Sequence, residues 1–210
     1  MSEIAHLTLR LSGAAFPVDD FEFENGDLAE RAEDGPYIPG QVKIVSIDDV
    51  KFQLQPNSCA ILHHMSPSKD DFEMMLAIAM DFNDFIGRNQ TERAVFTSHG
   101  HISAEPTDLA KLRERILGGV ASFTDELQDE GAVRVDLPVT KPVRGKKSIR
   151  VDSAGSTGTH RGMAVVEFVV DQKTSPKDSV KKFIDELRQV GYDGFKSDLE
   201  VTAKEIADNE

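Results

Sequence analysis

The chain has 210 residues, of which 39% are hydrophobic, and this is enough to bury a substantial core in one domain. Its 37 acidic residues outnumber its 24 basic ones, and the net charge of −13 disfavours non-specific binding to nucleic acids and anionic membranes. The only cysteine, Cys59, excludes an intrachain disulfide. With no basic leader and no apolar run long enough to span a bilayer, the sequence predicts a cytoplasmic protein.

The first half of the chain shows several strand patterns around one helix. Residues 6–11 alternate between polar and apolar side chains, 42–47 and 50–54 predict a hairpin, and 59–64 and 93–97 predict two more strands. Between the last two, Ser68 is a helix cap, and the apolar residues up to position 87 predict a helix that is buried on two sides. We therefore predict a β-α-β unit in which the strands 59–64 and 93–97 are adjacent and parallel.

The second half shows a similar order of patterns. Residues 106–130 predict an amphipathic helix that is interrupted at Gly118-Gly119. Strands are expected over 132–137, 148–151 and 164–170, then a helix over 175–191, and a last strand over 195–201. When the strand 6–11 is set aside, each half follows the order β-β-β-α-β. We predict a single α+β domain, 1–210, with two pseudo-symmetric lobes, 1–105 and 131–205, joined by the connector helix 106–130.

Acidic residues are concentrated in one segment, which we call the acidic strip. Its members are Asp19, Asp20, Glu22, Glu24, Asp27, Glu30, Glu33 and Asp34, and Arg31 is the only basic residue among them. The alternation over residues 20–24 predicts an edge strand that exposes its carboxylates. A basic segment has the opposite charge and contains Lys141, Arg144, Lys146, Lys147 and Arg150. As an alternative, the strip of one chain binds the basic segment of another, which gives head-to-tail homo-oligomers.

Four of the six histidines follow predicted neighbouring strands. His63 and His64 end one strand, and His99 and His101 follow another, so we expect all of them at one edge of the sheet, where α/β sheets bind ligands. They are weak metal candidates. The segment His99-Gly100-His101 resembles the start of the metallo-β-lactamase signature H-x-H-x-D-H, but Ser103 and Ala104 replace its aspartate and its last histidine. Two surface histidines in a loop are the simpler interpretation.

Two tetrapeptides, His6-Leu7-Thr8-Leu9 and His101-Ile102-Ser103-Ala104, are similar to the paired motif of the 2H phosphoesterases. The resemblance implies that His6 and His101 act as general base and general acid, while Thr8 and Ser103 hold a phosphodiester without a metal. Two features depart from that family: only five residues precede His6, and Ala104 replaces the usual leucine.

These observations lead to three hypotheses of different classes. The leading one is a non-enzymatic, acidic interaction protein that binds, and inhibits or neutralises, a basic protein partner through the acidic strip, as immunity proteins, inhibitors and nucleic-acid mimics do. The second is a metal-independent phosphoesterase acting on cyclic or 2′,5′-linked nucleotides. The third is a structural subunit of a larger assembly. None requires a cofactor, and we expect neither direct nucleic-acid binding nor membrane association.

Overall fold

The computed structural model describes residues 3–87, 91–102, 106–118, 133–139, 145–152, 161–171 and 179–207. The strands are β1 (Glu3–Gly13), β2 (Ala32–Ile38), β3 (Val42–Ile47), β4 (Val50–Gln55), β5 (Ser58–His64), β6 (Thr91–Ile102), β7 (Val133–Val139), β8 (Gly145–Asp152) and β9 (Arg161–Asp171). The helices are α1 (Gly26–Arg31), α2 (Lys69–Ile86), α3 (Pro106–Gly118) and α4 (Ser179–Ala207). The predicted mixed α+β class is confirmed.

The strands form one antiparallel sheet of nine strands in the order β2-β3-β4-β5-β1-β6-β9-β8-β7. Strand β1 shows the predicted alternation, because Leu7, Leu9 and Leu11 are fully buried while Arg10 is exposed. Helix α2 contacts β1, β4 and β5, helix α4 contacts β6 and β9, and helix α3 contacts β7, β8 and β9. The helices thus cover one face of the sheet, and we call the opposite face the open face.

Two local predictions from the first half are confirmed in detail. Strands β3 and β4 form the expected hairpin, in which Asp48 adopts a left-handed conformation with φ of 50°. Helix α2 begins directly after Ser68, whose hydroxyl accepts a hydrogen bond from the Asp71 amide at 3.2 Å while the Asp71 carboxylate accepts one from the Ser68 amide at 2.7 Å. This capping box fixes where the helix starts and therefore which face it buries.

The predicted adjacency of the two parallel strands is wrong. Strand β1 lies between β5 and β6 and is antiparallel to both. Strands β5 and β6 nevertheless run in the same direction, so their carboxyl ends lie at the same edge of the sheet as the start of β1. The strand order depends on pairing between residues about 90 positions apart, which no local pattern encodes.

The edge strand predicted over residues 20–24 is also absent, because this segment has no regular secondary structure. Its alternation has a different cause. Phe21 is buried and Phe23 is partly buried, and the ring of Phe21 lies 4.9 Å from that of Phe52 and 5.4 Å from that of Phe82. The segment therefore anchors a loop onto the core through its aromatic side chains and leaves its carboxylates in solvent.

The strand predicted over residues 195–201 is a helix in the structure, where it forms the second part of α4. Gly191 interrupts the helix with φ of 69° and ψ of 165°, and this kink redirects the chain. Phe195 is then fully buried, with its ring 4.9 Å from that of Phe96 and 5.7 Å from that of Phe72. Packing against two aromatic side chains outweighs the weak alternating pattern.

Helix α3 begins at Pro106 as predicted and is described as far as Gly118. Residues 119–130 of the predicted connector lie outside the described residues. None of the helices in the described part of the chain is both long and apolar enough to cross a membrane.

Candidate functional sites

All eight carboxylates of the acidic strip are exposed. The strip begins in the loop that Phe21 anchors, continues through α1, and ends in β2, which is the terminal strand of the sheet. The Asp19 carboxylate accepts hydrogen bonds from the Tyr37 hydroxyl on β2 and from the Gly40 amide after β2, both at 2.8 Å. These bonds hold the start of the strip beside the terminal strand of the sheet.

Few basic groups neutralise the strip. Arg31 is paired with Asp48, and the Lys43 ammonium group donates to the Phe21 carbonyl at 2.6 Å. In the described part of the chain, no carboxylate of the strip takes part in an ion pair. Hydrogen bonds from the Gly40 amide and the Tyr37 hydroxyl lower the pKa of Asp19, and the same bond to Asp19 raises the pKa of Tyr37. Asp19 thus keeps its negative charge at neutral pH.

Additional carboxylates extend the strip into a groove of about 450 Å³ between α1 and the start of α2. Asp27 belongs to the strip, whereas Asp48, Asp70, Asp71 and Glu73 reach the groove from the β3–β4 turn and from α2. These four residues belong to other elements and are distant from the strip in sequence. Asp70 and Asp71 are visible in the sequence only as favourable residues for a helix N-terminus.

Three histidines lie side by side on neighbouring strands of the open face, near one edge of the sheet. His6 on β1 is opposite His64 on β5 and His99 on β6. The ring centroid of His6 lies 5.4 Å from that of His64 and 6.2 Å from that of His99. His6 and His64 are exposed, and His99 is partly buried. The pairing of His6 with His64 and His99 was not predicted, because it depends on the position of β1 between β5 and β6.

His63 points to the opposite side of the sheet from His64. Its side chain is buried beneath the helices, with a relative exposure of 4%, and its Nε2 lies 3.4 Å from the Asp71 carboxylate. Partial burial opposes ionisation of Asp71, but hydrogen bonds from the Ser68 hydroxyl and amide, together with His63, lower the pKa of Asp71 below its ordinary value.

The structure places the remaining predicted catalytic residues as follows. Thr8 lies on β1 on the same face as His6, and its Cα pairs with those of Leu62 and Thr97. His101 lies on β6, where its Cα pairs with that of Glu3 rather than that of His6. The backbone of His101 is described but its side chain is not, and Ser103 lies outside the described residues.

Two of the four metal candidates, His63 and His64, lie on opposite faces of the sheet. His63 lies under the helices, whereas His64 and His99 lie beside His6 on the open face. Among the side chains that are described, no three histidine, cysteine, aspartate or glutamate groups converge in a way that would hold a metal ion. Cys59 is fully buried, and burial raises the pKa of its thiol well above the ordinary value, as expected for a core residue.

No protein-family model matches the sequence. No curated protein is similar to it in sequence either.

Proposed function

We propose that this chain is an acidic interaction protein that binds a basic protein partner through the acidic strip and inhibits or neutralises it. The observation that carries the proposal is the exposure of all eight strip carboxylates on one segment without neutralising ion pairs among the described residues. Concentrated charge of one sign accelerates association with a partner of opposite charge, and it suppresses binding to partners of like charge.

The groove beside α1 supports the proposal in a second way. It combines carboxylates with apolar surface from Leu28, Met74 and Ala77, and it also contains Arg31, which is paired with Asp48. Asp27 and Asp70 are the groove carboxylates that form no ion pair among the described side chains. A lysine or arginine side chain has a charged end on an aliphatic stem, so it matches a groove of this composition. The strip would therefore attract the partner at long range, and the groove would hold one of its basic side chains.

The proposal is tested with a lysine- and arginine-rich peptide as the probe. In the strip variant, Glu22, Glu30 and Glu33 are changed to glutamine. The control variant carries the same change in charge at exposed positions outside the strip, with Asp84→Asn, Glu114→Gln and Asp193→Asn. Calorimetric titration at low and moderate ionic strength should show a weaker affinity for the strip variant than for the control, and added salt should reduce the difference. Equal losses in both variants would mean that only total charge matters.

A phosphodiesterase is our second proposal. It is supported by the position of the two H-x-[ST] motifs, which begin on neighbouring antiparallel strands, β1 and β6, at one edge of the sheet. We expect His6→Ala and His101→Ala each to abolish hydrolysis of a 2′,3′-cyclic nucleotide in the presence of a chelator, whereas His64→Ala retains it. Full activity of either of the first two variants, with native circular dichroism, would exclude this proposal.

A subunit of an assembly is a third proposal. Strand β2 ends the sheet and exposes Tyr37 at 50% and Ile38 at 49%, and such edges pair readily with another chain. Light scattering coupled to gel filtration should then give a mass above the 23.1 kDa of one chain, and Ile38→Lys should return it to that value. A monomer at all concentrations would exclude this proposal.

We also propose that the two lobes are related by pseudo-symmetry. The support is the repeated order of three consecutive antiparallel strands and a helix, β3-β4-β5-α2 and β7-β8-β9-α4, on either side of the central pair β1 and β6. The predicted order had one more strand after the helix of each lobe. In the second lobe that strand is absent, because α4 continues through residues 195–201.

A further inference from the structure

The open face of the sheet carries a polar depression that the acidic strip does not include. Polar side chains follow each other along β1 on this face, because His6, Thr8, Arg10 and Ser12 all occupy alternate positions. Beside Arg10 and Ser12 the surface forms a depression of about 630 Å³. Its volume falls within the range of about 300–1,000 Å³ that small-molecule sites occupy.

Two arginines supply the charge of this depression. Arg10 on β1 is opposite Val95 on β6, and Ser12 is opposite Arg93, so the two arginines are diagonal neighbours on one face. Both are exposed, and neither guanidinium takes part in an ion pair with a side chain that the structure describes. On the other side of β6, Asp171 of β9 is opposite Arg93 in the sheet register. Glu92 is the single carboxylate among the lining side chains. Two adjacent cations repel each other unless an anion lies between them.

The remaining polar groups add hydrogen-bond donors around the arginines. Gln53, Gln55, Asn57 and Ser58 line the depression from the β4–β5 hairpin. The Ser58 hydroxyl donates to the Gln55 amide oxygen at 3.1 Å. This bond engages the acceptor of the Gln55 amide and leaves its NH₂ group as a donor. The side chains of the hairpin therefore complement the arginines in binding an acceptor-rich group.

The floor of the depression is apolar where it approaches β5. Ala60 and Leu62 are partly exposed there, on the same face as Arg10. A ligand with a charged end and an apolar or ring-shaped body would place its body on these two residues and its charged end at the arginines.

We infer that this depression binds a small molecule with an oxyanion group, a phosphate or a carboxylate, held between Arg10 and Arg93. Guanidinium groups form charge-assisted, often bidentate hydrogen bonds with both kinds of oxyanion. The site is separate from the acidic strip, so the inference does not depend on the proposed partner.

The inference is tested by NMR titration of the ¹⁵N-labelled full chain with inorganic phosphate, and separately with acetate, at constant ionic strength. We expect saturable shifts of backbone amides around Arg10, Arg93 and the β4–β5 hairpin. Arg10→Gln and Arg93→Gln should each weaken binding about tenfold, the low end for a charge-assisted hydrogen bond at an exposed site. Lys182→Gln, which removes an exposed cation from α4, should leave the affinity unchanged.

Each outcome has a defined meaning. Saturation by phosphate alone identifies a phosphate-bearing ligand, and saturation by acetate identifies a carboxylate. No saturable shift with either anion overturns the inference, and so does equal binding by the Arg10→Gln and Lys182→Gln variants. Unchanged amide spectra outside the depression show that the variants are folded. The triple variant of the acidic strip should bind phosphate normally, so failure of one proposal is distinguishable from failure of the other.

Discussion

Phe195 connects the second part of helix α4 to the core, and its replacement by alanine is a direct test of the fold. Its side chain is fully buried between Phe96 on β6 and Phe72 on α2. Each neighbour is held by its own element, so the space left by the ring closes only partly. Phe→Ala changes in cores cost about 3–5 kcal/mol, against total stabilities of about 5–15 kcal/mol for typical domains. Phe195→Ala should therefore remove a large part of the free energy of unfolding.

The loss is measured by urea denaturation, which is followed by far-ultraviolet circular dichroism because the chain has no tryptophan. We expect the midpoint to fall at an unchanged m-value, which reports a change in stability alone. Ser197→Ala is the matched control, because Ser197 is an exposed residue two positions further along the same helix. Its effect should stay within about 0.5 kcal/mol. Phe195→Leu should show an intermediate loss.

A loss for Phe195→Ala as small as that for Ser197→Ala would refute this packing. A second measurement examines the contact itself. In a double-mutant cycle, Phe195→Ala and Phe96→Ala should deviate from additivity by about 0.5–3 kcal/mol because the two rings touch. Strict additivity would place Phe195 away from β6.

Three further predictions concern local interactions. Because the pKa of Asp71 is lowered on folding, its carboxylate stabilises the protein above its ordinary pKa of 3.8, and that contribution is lost as the pH falls through the lower folded value. The difference in unfolding free energy between wild type and Asp71→Asn should therefore shrink at acid pH. A constant difference would contradict the capping role of Asp71 with Ser68. The pKa of Tyr37 is raised from its ordinary 10.0 by its bond to Asp19, so ultraviolet titration of Asp19→Asn should return it towards that value, and an unchanged titration curve would contradict the bond. Gly191→Ala should cost about 1–3 kcal/mol because the kink of α4 requires φ of 69° with ψ of 165°, a conformation essentially restricted to glycine, whereas a neutral effect in thermal denaturation would indicate that the kink is absent.

Local patterns predicted the elements whose determinants are close in sequence. The alternation of Leu7, Leu9 and Leu11 identified β1, and the polar turn at Asp48 identified the β3–β4 hairpin. The Ser68 cap identified the start of α2 within one residue. In each case hydrogen bonding and burial involve neighbours a few positions apart, so composition and spacing contain the necessary information.

The same reasoning was wrong where two periodicities fit one segment. Phe195, Leu199, Thr202 and Ile206 also recur at spacings of three and four, which fit a helix as well as the alternation fits a strand. In residues 20–24 the alternating pattern was real, but it reflects a loop whose aromatic side chains enter the core. Burial of one side of a segment produces alternation whether or not a neighbouring strand supplies hydrogen bonds.

The candidate sites divide in the same way. The sequence alone located the acidic strip, because its eight carboxylates all fall within residues 19–34 and charged side chains remain in solvent unless they are paired. Only the tertiary structure aligned His6 with His64 and His99, brought Asp48 and Asp70 beside the strip, and placed Arg10 next to Arg93. The histidines and the two arginines meet because β1 inserts between β5 and β6. That insertion depends on pairing between strands far apart in the chain, where many strand orders satisfy the same local patterns.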